Sequence, residues 1–332
     1  MIFDEAFASE VRANPDDDMA RLVLADFLSD SGDPLGQLIR LQLELVDFKG
    51  AVEQKLDLQR QEESLLKEHG EQWLEPLRNM GVKGCSLRCF RRGLVERIKI
   101  SVKDFVDHAD EIIAISPGLH ILQLTDLELD SYQLLTLAPQ IRTVDLSNSK
   151  IGTAENANGL LGFRADWIGD LEGLNLEFNR LASRDLIDLF AVSKGNLKSL
   201  RLGMNQISTV GLDYIIDGIS FPQLEELSLN LNRIDVGAGE SFSLTNGIDN
   251  LRSLNLASNP LTDDGIVPLL NSHHFPELRN LNLRNCNLSG NCTQLINESQ
   301  LVKQLETIDL RNNNDQIFNG LDPEVLKKAG RI

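Results

Sequence analysis

The stretch Leu197-Lys198-Ser199-Leu200-Arg201-Leu202-Gly203-Met204-Asn205-Gln206-Ile207 decides the fold. It spells L-x-x-L-x-L-x-x-N-x-L, and the spelling returns. Leu224, Leu227, Leu229, Asn232 and Ile234 repeat it, as do Leu251, Leu254, Leu256, Asn259 and Leu261. Leu278, Leu281, Leu283 and Leu288 follow, with Cys286 at the asparagine place, and Leu305, Ile308, Leu310 and Asn313 close the series. These starts, from 197 to 305, advance by 27 residues each, and such regularity marks a repeat architecture. Upstream, Leu171, Leu174, Leu176, Asn179 and Leu181 form another copy. Weaker copies start at Ile141, with Ser149 at the asparagine place, and at Leu119, with Leu127 there. Val95, Ile98 and Ile100 have the same phase.

The pattern resembles the leucine-rich-repeat family over roughly residues 94 to 320, and its period resembles the ribonuclease-inhibitor-like subclass. That resemblance implies an α/β solenoid shaped as a horseshoe, with a parallel sheet on the concave side and helices on the convex side. The residues between repeats support it. Leu212, Ile215, Ile216 and Ile219 lie on one helical face; Ile266, Leu269 and Leu270 repeat the spacing, as do Leu186, Leu189 and Phe190. Pro222 and Pro276 then stop the helices. Gly237-Ala238-Gly239 predicts a distorted convex segment, and the step from Ile141 to Leu171, which contains Trp167, predicts a longer excursion over 152–170.

Stacking hides the apolar face of each repeat in one continuous core. An asparagine amide both donates and accepts, so it can satisfy backbone groups that no neighbouring strand reaches. Asn179, Asn205, Asn232, Asn259, Cys286 and Asn313 are therefore expected to form a structural ladder, with Cys286 bonding more poorly. Leu127 cannot bond at all, which predicts an irregular N-terminal end.

Residues between the leucines are expected to project onto the concave face of the sheet. Most are small and polar. The column just before the asparagine differs, because it reads Phe178, Met204 and Leu231 in three successive repeats. If exposed, these form an apolar stripe flanked by Arg201 and Glu226, and this is the candidate partner-binding site. Otherwise they fold back under the loops as extra core.

Residues 1–80 are helical in pattern and stand as a small all-α domain. A connecting segment, 81–93, leads to the solenoid with its C-terminal cap, 94–332. Asn14-Pro15-Asp16-Asp17-Asp18 caps a helix, and helix capping accounts for the acidic run more simply than a metal site. Further helices are predicted through Leu38 to Leu45 and over about Val52 to His69. Together with Arg21-Leu22-Val23-Leu24-Ala25-Asp26-Phe27-Leu28, Gly32-Asp33-Pro34-Leu35-Gly36 and Ile39-Arg40-Leu41-Gln42, this segment resembles the repeat-companion domain of planctomycete bacteria. That family pattern carries tyrosine and tryptophan where Leu24 and Phe27 stand here. The resemblance implies a bacterial context and no chemistry. Lys83, Arg88, Arg91, Arg92, Arg97, Lys99 and Lys103 make the basic stretch, which can dock on the acidic remainder.

The net charge is -18 over 332 residues. Such a chain repels nucleic acid and anionic membranes, and a partner is expected to be a protein, with a basic one favoured; acidity also serves solubility. The four cysteines, Cys85, Cys89, Cys286 and Cys292, form no secreted framework, and the N-terminus carries no apolar signal core, so a cytoplasmic location is expected. The sequence shows no phosphate-binding glycine loop, no H-E-x-x-H and no nucleophile elbow. No catalytic residue, cofactor or metal is expected. The reading is a non-catalytic protein-binding scaffold, and its rival is an enzyme or enzyme regulator with activity in the N-terminal helices.

Overall fold

The structure, a computed structural model, describes residues 3–126, 139–151, 169–190, 195–216, 221–245 and 248–330. Leu127, the excursion over 152–168 with Trp167, and Ile219 lie outside the described residues, as do the side chains of Leu189 and Phe190. The chain forms two compact units, Met1–Asp145 and Leu146–Ile332.

The first unit begins with four helices: α1 (Glu5–Ala13), α2 (Asp18–Asp30), α3 (Leu35–Val46) and α4 (Val52–Asn79). Asp17 caps α2 by accepting from the Met19 N–H, which satisfies an amide that the helix itself cannot. The helices pack through Leu24, Ala25, Leu38, Ile39, Leu74 and Leu77, all buried. Helix α4 runs ten residues past the His69 boundary expected above, carrying Pro76 within it. Burial of Leu74 and Leu77 on one face, and of Gly70 against the Leu87 side chain, outweighs the local stop signals.

A hairpin of β1 (Phe90–Arg91) and β2 (Leu94–Val95) leads into β3 (Arg97–Ser101), α5 (Val102–Ile115), β4 (Ile121–Thr125) and β5 (Thr143–Asp145). Strands β3, β4 and β5 pair in parallel, with Ile98 opposite Leu122 and Leu122 opposite Val144. The Lys83 N–H donates to the Lys99 carbonyl at 2.7 Å, so the chain before the hairpin covers part of the free edge of β3. An open sheet edge is a template for unwanted pairing, and this contact blunts it. Gly93, at φ +80°, sits in the hairpin turn, and an added Cβ would lie 2.3 Å from the Ile39 Cα. Its N–H donates to Gln42 Oε1 at 2.7 Å. Helix α3 therefore packs against the hairpin that leads into the first repeat strand.

The second unit repeats strand and helix. Its strands are β6 (Gly173–Asn175), β7 (Ser199–Arg201), β8 (Glu226–Ser228), β9 (Ser253–Asn255), β10 (Asn280–Asn282) and β11 (Thr307–Asp309). They pair in parallel without register shift, so Leu174, Leu200, Leu227, Leu254, Leu281 and Ile308 form one buried column. Between them lie α6 (Ser183–Phe190), α7 (Thr209–Ile216), α8 (Ala238–Leu244), α9 (Thr262–Leu270), α10 (Thr293–Glu298) and α11 (Gln300–Gln304). Leu212, Ile215, Ile216, Ile266, Leu269 and Leu270 are buried, as their helical spacing required.

The Gly237-Ala238-Gly239 run behaves otherwise than expected. It opens the helix α8, and a Cβ on Gly239 would meet Pro268 Cγ of α9 at 2.8 Å. These glycines serve close helix packing. A last helix, α12 (Pro323–Lys328), ends the unit, and Lys328 Nζ donates to the carbonyls of Val302 and Lys303. No helix among the described residues is long and apolar enough to cross a membrane.

Candidate protein-contact face

The asparagine ladder sets the geometry of the column beside it. Asn232 Nδ2 donates to the carbonyls of Leu202 and Leu229, both at 2.9 Å, and its Oδ1 accepts from the Ile207 N–H at 3.0 Å. Asn205 bonds Leu176 and Leu202 in the same way and accepts from the amides of Asn179 and Leu181. Asn179, Asn259 and Asn313 repeat the arrangement. All but the half-buried Asn313 are buried.

Cys286 departs from it. Its thiol reaches the Leu256 carbonyl at 3.3 Å, but the Leu261 N–H, which an Oδ1 would take, turns to the Asn259 carbonyl at 2.9 Å. The Thr262 N–H bonds the Cys286 carbonyl, and Thr262 adopts φ +60°. A β-branched residue at positive φ is strained, so the missing amide oxygen costs backbone energy in the preceding repeat.

One residue before the ladder, the chain turns sharply. The N–H of Phe178, Met204 and Leu231 donate to the carbonyls of Gly203, Asn230 and Ala257 at 2.8 to 3.0 Å. This extends the parallel pairing past each strand and forces a left-handed backbone. Every described residue of this column has positive φ: Asp126, Asn148, Phe178, Met204, Leu231, Ser258, Asn285 and Asn312. Aspartate and asparagine tolerate that region through local hydrogen bonds. Phe178, Met204 and Leu231, at φ 60°, 55° and 55°, do not gain from it. They are also exposed, at 53%, 45% and 47%. They are not extra core.

The column that ends each strand has a role that sequence reasoning missed. Asn175, Asn255, Asn282 and Asp309 each accept, through Oδ1, the N–H two residues on, at 3.0 to 3.1 Å. These are Asx turns, and they explain the recurrence of Asn and Asp without invoking a partner. The spacing of an Asx three residues before the left-handed position was the available signal. Arg201 and Ser228 break the column. Arg201 is exposed and has no carboxylate within ion-pair distance among the described residues. It shares a depression of about 420 Å³ with Glu177, Glu226, Ser228 and Asn255. Glu226 Oε2 accepts from Ser199 Oγ at 3.2 Å. Gly203 is required below, since a Cβ there would meet Asn230 Oδ1 at 2.4 Å. The face thus combines an unpaired cation, a carboxylate and neighbouring apolar residues held out of the core.

A family described as "Leucine Rich repeat" matches residues 196–215 and 249–270, the repeats on either side of this depression. The fold is a leucine-rich-repeat solenoid. Ribonuclease inhibitor of Mus musculus is 26% identical over 275 residues, spanning 71% of this chain and 58% of its own. Ribonuclease inhibitor of Sus scrofa is 30% identical over 161 residues, spanning 46% of this chain and 35% of its own. The chain therefore spans little more than half the length of the first of these relatives. Among solved structures, an internalin from Listeria monocytogenes aligns with 65% of this chain and 53% of its own, at 18% identity and a TM-score of 0.40.

Proposed function

We propose that the chain is a non-catalytic protein-binding scaffold that uses the solvent face of its repeat sheet. Phe178, Met204 and Leu231 provide the apolar contact, and Arg201 and Glu226 orient the partner at its edge. One observation carries this reading: three bulky apolar side chains occupy a strained left-handed position while half exposed. Stability alone favours asparagine, aspartate or glycine there, and strain kept at a surface site points to function. An apolar patch with a polar rim is what a contact hot spot needs. The relatives named ribonuclease inhibitors support a protein target, and the net charge of -18 favours a basic one. In this reading the helices of residues 1–80, joined to the repeats without a flexible Gly/Ser or Pro-rich linker, shield the first strand of the array and take no part in chemistry.

The test is quantitative affinity capture with the wild-type chain and a Phe178→Ala, Met204→Ala, Leu231→Ala variant. The variant is expected to keep its circular dichroism and melting cooperativity and to lose the partners that the wild type enriches. Equal enrichment by a folded variant would sink the proposal.

A further inference from the structure

Residues 80–89 connect α4 to the hairpin, and they carry chemistry that the binding face does not use. Cys85 is buried and Cys89 half-buried. The Cys89 sulfur lies 4.0 Å from the Gly84 carbonyl oxygen. The same sulfur accepts the Ser86 N–H at 3.2 Å. Both cysteines line a cavity of about 240 Å³ whose walls also carry Arg88, Arg91, Arg97 and Lys99. Arg97 is held by Asp145 at 2.7 Å. Arg88, Arg91 and Lys99 are exposed and have no carboxylate partner among the described residues. A concentration of unpaired cations around two thiols is unexpected on a chain of net charge -18.

The balance of these features favours a negative charge on Cys89. The hydrogen bond from Cys85 and, next to it, the Ser86 amide pull its thiol down to about 6 against the burial that opposes them. The same bond, together with burial, pushes Cys85 up. A thiolate beside a protonated thiol is the arrangement in which the first attacks and the second resolves. Cys286 and Cys292 stand in contrast, since burial pushes them up to about 11 and about 12.

We propose that Cys89 and Cys85 form a thiol–disulfide exchange site whose basic cavity admits an anionic small disulfide of the glutathione disulfide class. The Cys89 thiolate attacks one sulfur of that disulfide. The external S–S bond breaks, a mixed disulfide forms on Cys89, and one glutathione thiolate leaves. Cys85 then gives its proton to water, and its sulfur attacks Cys89 Sγ. The Cys85–Cys89 bond forms and the second glutathione thiolate departs. The protein dithiol loses two electrons, and glutathione disulfide gains them. Cations at the rim act on the charge of the incoming molecule, and the amide and the thiol act on the attacking sulfur.

The test incubates the reduced full chain with glutathione disulfide, followed by intact mass and peptide mapping. The expected product lacks two hydrogens and carries a Cys85–Cys89 link, with Cys286 and Cys292 free. A Cys85→Ser variant is expected to stop with one glutathionyl group on Cys89. Arg88→Gln with Arg91→Gln is expected to slow glutathione disulfide about tenfold, as loss of electrostatic steering does, and to leave the neutral 2-hydroxyethyl disulfide unaffected. Because Cys85 is buried and its variant can misfold, a second measurement uses the unmutated chain. Alkylation of Cys89 by iodoacetamide is expected to be flat from neutral pH upward and to halve near pH 6, whereas an ordinary thiol halves near about 8.5. An ordinary pH profile at Cys89, a persistent mixed disulfide in the unmutated chain, or equal slowing with the neutral disulfide would overturn the proposal.

Discussion

Arg21 Nη2 lies 2.8 Å from Glu96 Oε1, and the Arg21 side chain has no solvent exposure. The pair joins α2 to the residue between β2 and β3. Arg21 also donates to the Pro15 carbonyl at 2.7 Å and reaches the carbonyls of Arg91 and Arg92. Arg92 shares the same Glu96 oxygen at 2.8 Å and pairs with Asp16 and Asp18. Burial lowers the Arg21 pKa and the Glu96 charge opposes that shift, but a guanidinium remains protonated. Part of the basic stretch thus docks on the acidic start of α2, which ties the N-terminal helices to the first repeat strand.

Removing one member of a buried pair leaves the other charged and unmatched. Glu96→Ala is expected to cost about 3–5 kcal/mol. Urea unfolding, followed by Trp73 emission in a Trp167→Phe background, reads it. A Glu96→Ala loss below about 1 kcal/mol would mean that the carbonyl acceptors alone hold Arg21. Replacing both members by methionine is expected to recover part of the loss, because neither buried charge then remains.

Gly93→Ala tests the same junction sterically. The new methyl would meet Ile39 backbone and side chain, at a φ that alanine avoids. Overpacking and left-handed strain add to roughly 2–4 kcal/mol. The melting temperature should fall, and Gly32→Ala serves as the control, since Gly32 shares a positive φ but has open space around it.

The ladder gives changes of opposite sign. Asn232→Ala removes the acceptor of the Ile207 N–H and the donor to two buried carbonyls. It is expected to cost roughly 1–3 kcal/mol. Cys286→Asn supplies the oxygen that the Leu261 N–H lacks and frees Thr262 from its strained turn. It is expected to stabilise by about 1 kcal/mol. Denaturant midpoints of the two variants check both signs.

At the contact face, stability and binding should move apart. Phe178→Asn, Met204→Asn and Leu231→Asn each place a residue suited to the left-handed region and remove little buried area. Each is expected to stabilise by about 1 kcal/mol, the lower estimate of left-handed strain. Partner capture should fall at the same time. A variant that loses both would show that these side chains contribute to the core despite their exposure.

Much of this molecule is legible in its leucines. A period of 27 residues specifies strand, turn and helix, and the asparagine positions mark the ladder. Backbone conformation was not legible. Phe178, Met204 and Leu231 are legible as an apolar stripe, but their positive φ and their exposure are not, because propensity says nothing of a turn imposed by pairing between repeats. The Asn and Asp at strand ends read as binding-face residues, although their oxygens serve the turn. Helix α4 passes its expected end because a long-range surface, the hairpin around Phe90 with its ring 5.6 Å from Trp73, rewards continuation. The glycines at 237 and 239 suggest distortion only when the approach of Pro268 is unknown.

The ladder also has a direction. Asn205 serves amides and a carbonyl of the repeat before it, Asn232 does the same for the repeat of Asn205, and Asn313 for the repeat of Cys286. Each repeat therefore holds the one that precedes it, and what it needs for its own turn comes from the one that follows. Cutting repeats from the C-terminal end orphans a ladder turn at every cut, whereas cutting from the other end of the unit leaves the ladder bonds of the remaining repeats in place. The ladder is polar in the way a zipper is, and a nick near β11 propagates further along it than an equal nick near β6.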